Sequence, residues 1–311
     1  MPSADNSIDR RDWVLLAVLS VLWGGSFFFN GVILRELPPL TLVLLRVTLG
    51  TIILLPLLQA RGIQFPQGWS GWAPFFAMGL FNNVLPFSLI VFGQVYIPSG
   101  LASILNATTP LFTVVIMAVA GEERLQARRV AGVIVGVIGV AILHGDALGF
   151  DSRQGIGILL CLAGAFSYGL AALVGRRLPS HVPPLGTATF QMIASAVMMA
   201  VVAGVVDRPW QLPMPHATTW LAVLGLAALS TALAYIVFFQ ILQRSGATNV
   251  MLVTLLVPVT AMLLGYLVLG EPISAREVVG ALVIASALLL IDGRVLGWIS
   301  RAPFSTPHTN S

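Results

Sequence analysis

The chain has 311 residues, of which 57% are hydrophobic and 9% charged, where a soluble globular protein carries about 25% charged residues. A mean hydropathy of +0.94 is more than a water-soluble packing can hide, so the bilayer is the solvent. The 16 basic residues are all arginine and, Arg46 apart, sit in short joints rather than on one face, so the formal charge of +4 is no nucleic-acid signal; one cysteine, Cys161, and four scattered histidines exclude an intrachain disulfide and a Cys/His metal cluster.

Residues 1–12 are a polar segment ending near Arg10-Arg11. The first apolar run, 13–34, is longer than the roughly 7–15 residues of a secretory core, so it reads as a retained helix and not a cleaved signal. About 20 apolar residues cross the hydrocarbon layer, and on that measure ten spans follow: 13–34, 39–59, 71–96, 99–120, 126–144, 155–175, 184–206, 217–242, 247–269 and 275–296. The joints carry breakers such as Pro38-Pro39, Pro66, Pro98, Gly121, Pro209, Gly246 and Pro272, and 297–311 is a short polar tail. With the N-terminus inside, inner segments hold 11 arginines and outer ones 4, namely Arg35, Arg153, Arg208 and Arg276. The positive-inside rule then predicts a multi-pass protein of the inner (cytoplasmic) membrane with both termini cytoplasmic.

The stretch from Pro98 to Glu123 returns at Gly246–Glu271: each is an apolar run with a central proline and a Gly–Glu end. The step is 258 − 110 = 148, and it also carries Trp72 to Trp220, Arg128 to Arg276 and Gly132 to Gly280. A duplication is the expected cause. Five spans is an odd number, so the second copy enters the membrane inverted. The predicted fold is all-α integral membrane: ten transmembrane helices as two inverted five-helix repeats, 13–144 and 155–296, with a site near the midplane.

Residues Trp23-Gly24-Gly25-Ser26-Phe27 resemble the W-G-x-x-F signature of the drug/metabolite transporter superfamily, and Arg46 resembles its second-span arginine. The block Ser99–Pro110, the Gly–Glu ends and the ten-span layout are similar to the superfamily's EamA-type exporters, most of all to YddG-type exporters of aromatic and other neutral amino acids, which also handle methyl viologen. The resemblance covers nearly the whole chain. It implies a central cavity between the halves, with spans 5 and 10 at the periphery.

Polar side chains within spans tend to face the interior. At the 148 step Asn82 and Asn83 match Ser230 and Thr231, Phe87 matches Tyr235, and Asn106 matches Thr254. Pairs at matched depth suggest a midplane ring that contacts substrate; the competing reading is interhelical hydrogen bonding, about 0.6–2 kcal/mol per contact. In span 1, Trp23 and Phe27 share one face, with Ser26 and Asn30 forming the adjoining row; an aromatic and amide surface suits a flat apolar ligand with polar ends, and helix packing is the alternative. Tyr168 extends the aromatic set, and Phe27, Phe28 and Phe29 cannot all face a cavity. Arg46 is the only charge deep in a span, roughly 10 Å below Pro39 at 1.5 Å per residue. It can snorkel outward, bond backbone carbonyls, or bind a substrate carboxylate, and because an arginine here resembles a family feature shared across diverse substrates, a structural role is the expected one; its counterpart at a step of 145, Gln191, is also polar. Pro110 and Pro258 free carbonyls of the preceding turn and serve as hinges or static kinks. Glu123 and Glu271, at the junctions into spans 5 and 10, read as caps or loop pairs. Gly132, Gly136 and Gly139 form a small-residue face for an internal helix or a weak dimer, so monomer and weak dimer stay open.

No Asp, Glu or His lies deep in a span, which predicts facilitated export or exchange rather than proton coupling through a buried carboxylate. No catalytic side-chain set lies within the spans, and no P-loop points to ATP, so neither an enzyme nor a cofactor is expected. The leading function is a secondary transporter of small molecules, an exporter of aromatic or neutral amino acids or related metabolites. A multidrug exporter of organic cations and a receptor or assembly subunit are the alternatives.

Overall fold

The computed structural model describes residues 9–123, 126–144, 152–179, 181–250 and 252–292. The expected tail 297–311, with Arg301, and the topology arginines Arg124 and Arg294 lie outside the described residues, as does most of the segment 1–12. Among the described residues all regular structure is helical: α1 (Arg10–Ile33), α2 (Pro39–Ala60), α3 (Gly68–Gly79), α4 (Leu85–Gln94), α5 (Ser99–Asn106), α6 (Thr109–Val119), α7 (Ala127–His144), α8 (Arg153–Gly175), α9 (Pro184–Val206), α10 (Ala217–Ala227), α11 (Ala234–Val250), α12 (Val253–Leu264) and α13 (Ala275–Asp292), with one 3₁₀ turn. Among the described residues seven continuous stretches are long and apolar enough to cross a membrane: α1, α2, Gly68–Gln94, Ser99–Val119, α8, α9 and Ala217–Gly246; Val253–Leu269 is a shorter apolar one. Their outer faces expose large apolar side chains, among them Val21, Ile52, Val201 and Leu221. In water such a surface costs free energy; in lipid it does not.

Several helices are interrupted, each for a local reason. In a continuous helix Pro110 would clash with the carbonyl four residues back; α5 ends there, at Asn106, and Pro110 falls in the first turn of α6. The freed carbonyls are not left bare: Thr108 donates its hydroxyl to the Leu105 carbonyl at 2.6 Å and Thr109 to that of Asn106 at 2.7 Å. Pro258 behaves differently. It lies inside α12, several residues past the break between Val250 and Val253, and a further kink precedes that at Gly246, where φ is +78° and only glycine is at ease. Wide π-helical turns at Leu80–Val84 and Ala228–Leu233 begin 148 residues apart, at the two matched polar pairs. Such turns expose backbone and redirect side chains, and they concentrate at functional sites. Here Ser167 of α8 donates to the Phe81 carbonyl at 2.8 Å and Thr231 to that of Leu226 at 2.9 Å.

α7 and α13 pack against each other. A Cβ on Gly132 would meet Ile291, on Gly139 Ile284, and on Gly280 Leu143, while one on Gly136 would meet Leu111 of α6. The small-residue face of α7 is therefore used within the subunit. Tight approach also explains the Trp-Gly pair of span 1: a Cβ on Gly24 would collide with Thr260 of α12, whose hydroxyl donates to the Ser20 carbonyl at 2.7 Å.

The bundle has two polar ends. At the Glu36 end, the Asp207 carboxylate accepts from the Thr41 amide at 2.7 Å, Glu36 accepts from the His216 amide at 2.8 Å, and Glu271 accepts from the Ser99 amide at 3.0 Å. At the Glu123 end, Arg244 pairs with Asp12 at 3.1 Å, Arg176 pairs with Glu123 at 2.6 Å and with Glu122 at 3.4 Å, Arg129 also pairs with Glu123, and Arg128 donates to the Asp292 carbonyl at 3.1 Å.

The His216 amide, which opens α10, holds the Glu36 carboxyl below its ordinary range. A lowered folded-state value means that the contact's contribution is present above about pH 4.3 and is lost as pH falls through the lowered value. Glu36→Gln is expected to speed hydrogen exchange at the His216 amide relative to wild type at pH 7, with the difference shrinking as pH falls through the lowered Glu36 value; equal exchange at pH 7 contradicts the contact.

Candidate functional site

A cavity of about 620 Å³ lies at the centre of the bundle. Its wall contains Trp23, Ser26, Phe27 and Asn30 from α1, Arg46 from α2, Asn82 and Phe87 beside the first π turn, and Asn106 and Pro110 at the α5–α6 break. Tyr168, Gln191, Ser230, Tyr235 and Thr254 complete it from α8, α9, the second π turn, α11 and α12. Glu123 and Arg129 also line it, whereas Glu36, Ser99 and Glu271 do not. The cavity therefore reaches the Glu123 end and stops short of the Glu36 end.

The matched positions line the wall in pairs: Asn82 with Ser230, Phe87 with Tyr235, Asn106 with Thr254, and Arg46 with Gln191. Asn83 and Thr231 form the exception, and they too behave as a pair. Both are fully buried outside the wall. Asn83 donates to Ser195 Oγ at 2.9 Å and accepts from the Tyr235 hydroxyl at 3.3 Å, so interhelical bonding consumes it. Thr231 accepts from Arg46 Nε at 3.2 Å. Pro258 lines a separate apolar pocket of about 300 Å³ with Met262 and Leu282, and Glu271 sits at the Glu36 end.

Arg46 neither snorkels to the surface nor bonds backbone carbonyls. It is 7% exposed, its one hydrogen bond goes to Thr231, and its guanidinium carbon lies 3.7 Å from the centroid of the Phe87 ring. That geometry is a cation–π contact in a desolvated site. A guanidinium has five donors in a planar fork, and among the described residues the single bond from Nε leaves the terminal nitrogens without a protein acceptor. Among the described residues no carboxylate pairs with it. The one acid on the wall, Glu123, is held by Arg129 and Arg176.

Amides and aromatic rings surround this cation. Asn82 Nδ2 donates to Gln191 Oε1 at 3.2 Å, which fixes both amides on the wall. Trp23 packs on Phe238 with centroids 5.6 Å apart, and Tyr235 stacks on Phe239 at 6.1 Å and 16°. Phe238 and Phe239 line the cavity and are absent from the sequence-derived set. Their signal was positional, since they lie one turn beyond Tyr235. Of the three successive phenylalanines only Phe27 lines it; Phe29 packs on Gly225 and Phe28 on Phe29. Gln94 was also missed. It accepts from Asn30 Nδ2 at 2.8 Å and donates to the Phe27 carbonyl at 3.0 Å, tying the wall to the Glu36 end.

The profile of the EamA-like transporter family matches the chain twice, at residues 11–144 and 155–292. A "Probable amino-acid metabolite efflux pump" of Escherichia coli (strain K12) is 27% identical over 297 residues, covering 91% of this chain and 95% of that protein. Its namesake in Salmonella typhimurium is 27% identical over 290 residues with the same coverage. The "Uncharacterized transporter YoaV" of Bacillus subtilis is 24% identical over 280 residues, 89% of this chain and 96% of that one. A solved crystal structure at 22% identity superposes with a TM-score of 0.65 over 95% of this chain and all of the other, which supports the fold alone.

Proposed function

The chain belongs to the EamA-like transporter family, and we propose that it is a secondary carrier exporting aromatic or neutral amino acids, or metabolites sharing their carboxylate, by alternating access. It is a multi-pass membrane transporter of small molecules, as its family and its apolar helices establish. Its relatives are named transporters and efflux pumps rather than enzymes. The proposed architecture is ten spans in two inverted repeats, 13–144 and 155–296, in the inner membrane with both termini cytoplasmic. Three features support it: the double family match, the π turns 148 residues apart, and the paired wall residues. In that orientation the cavity opens to the cytoplasm.

One observation carries the substrate assignment: a buried cation faces the cavity without an acidic partner among the described residues. In a low-dielectric site an unpaired charge is costly, and an incoming carboxylate removes that cost. The planar fork matches a carboxylate's two oxygens. Asn82, Asn106 and Gln191 supply amide groups for a substrate's polar end, while Trp23, Phe27, Phe238 and Tyr235 supply aromatic surface. An organic cation would meet Arg46 without a compensating acid, which places the multidrug reading second.

Counterflow in proteoliposomes tests this. Vesicles are loaded with unlabelled amino acids, and entry of labelled phenylalanine, threonine and methyl viologen is followed. Saturable amino-acid exchange is expected, reduced about 10-fold by Trp23→Ala or Asn82→Ala, because each removes a wall contact worth roughly 1–1.5 kcal/mol. Exchange of methyl viologen alone would move the protein to organic-cation export, and no exchange by folded protein would remove the amino-acid assignment.

A further inference from the structure

The two Gly–Glu ends are equivalent in the repeat, yet their glutamates make different contacts. Glu271 reaches across the bundle and caps α5: its carboxylate accepts from the Ser99 amide at 3.0 Å and from the Ser99 hydroxyl at 2.9 Å. This contact joins the second half to the first at the end where the cavity is closed. It is also wired to the wall. Gln94 donates to Ser99 Oγ at 3.2 Å and accepts from Asn30, a cavity residue.

At the step of 148 residues, the counterpart of Glu271 is Glu123 and the counterpart of Ser99 is Ala247. Ala247 follows Gly246, which holds a positive φ and begins a new run of helix, as Ser99 follows Pro98. Among the described residues Glu123 has other partners. It is held by Arg129 and Arg176, and it lines the open cavity together with Val250 and Val253. The repeat is thus caught with one latch fastened and its twin undone, and the fastened one lies at the closed end.

We infer that Glu271 and Glu123 are alternating latches of the transport cycle, an inference that rests on the alternating-access reading. Glu271 on Ser99 shuts the Glu36 end in the state described. When the halves exchange conformations, as inverted repeats allow, Glu271 releases Ser99. Glu123 then leaves its arginines and accepts from the Ala247 amide, shutting the Glu123 end.

The test uses side-specific labelling in the full chain. Cys161→Ala removes the native thiol, and Ala172→Cys, on the cavity wall, places a reporter. A membrane-impermeant maleimide is applied to each face of the membrane in turn. The parent is expected to react from the Glu123 face. Glu271→Ala is expected to raise reactivity from the Glu36 face at least 10-fold and to lower it from the other, and Glu123→Ala to shift it the opposite way. Ser99→Pro is the second variant, because proline suits a first helical position while removing both donors; it is expected to act as Glu271→Ala does. Separately, in the Cys161→Ala chain, Glu123→Cys with Ala247→Cys is expected to cross-link at least fivefold more when Glu271→Ala is added. Unchanged reactivity from the Glu36 face in both latch variants, or no cross-link at 123 and 247 under any condition, overturns the proposal. Labelling needs no substrate, so a failure of amino-acid exchange leaves its result standing, and a failed latch leaves wild-type exchange intact.

Discussion

Replacing Arg46 with alanine is expected to raise the half-saturation concentration for a transported amino acid by about 10–100-fold, the effect of losing a charged hydrogen-bonded contact of roughly 1.5–3 kcal/mol. The guanidinium lies over Phe87 and spends only Nε on Thr231, so its remaining donors are available to a ligand. Thr231 keeps its bond to the Leu226 carbonyl in the variant, which confines the damage. Arg46→Lys is expected to fall between wild type and alanine: it keeps the charge and loses the planar fork and the stacking. Counterflow across a concentration series measures all three. A structural role alone predicts something else, namely lowered thermal stability with unaltered affinity in whatever protein survives.

The second large effect concerns folding. Gly93 of α4 and Gly157 of α8 face each other so closely that a Cβ on either would lie 3.0 Å from the other's carbonyl oxygen. Backbone cannot swing aside as a side chain can. Gly157→Val is expected to separate the two helices at an overpacking cost of about 3 kcal/mol, lowering the melting temperature by roughly 5–10 °C. Gly93→Val should do the same, and the double variant should cost less than the sum, since one separation serves both. Gly204→Ala is the control, because its nearest neighbour is the Trp210 ring at 3.7 Å. Fluorescence-detected size-exclusion after heating reads the result, and a melting temperature unmoved by Gly157→Val contradicts the packing.

Hydropathy made the apolar segments legible, because a span must satisfy its own backbone and leave apolar side chains outside. The repeat made the wall legible: Asn82, Phe87 and Asn106 were found with Ser230, Tyr235 and Thr254 because symmetric depth survives divergence. What sequence could not decide was azimuth within a π turn. Asn82 and Asn83 are neighbours of one chemical type, yet Asn82 meets the cavity and Asn83 is consumed by Ser195 and Tyr235. A widened turn shifts the face each residue presents, and no 3.6-residue periodicity encodes that shift. Pro110 and Pro258 looked equivalent as well, but only Pro110 coincides with a helix break. Phe238 and Gln94 escaped notice because their importance lies in partners from distant segments, Trp23 and Asn30.

The assignment of a carboxylate to Arg46 carries the functional account, and direct binding tests it most simply. Purified protein is titrated with phenylalanine and with phenethylamine, which differ by the carboxylate alone. The account predicts that phenylalanine binds at least 10-fold more tightly in wild type and that Arg46→Ala abolishes the preference. Equal or tighter binding of the amine by wild type would contradict it and place an organic cation in the cavity.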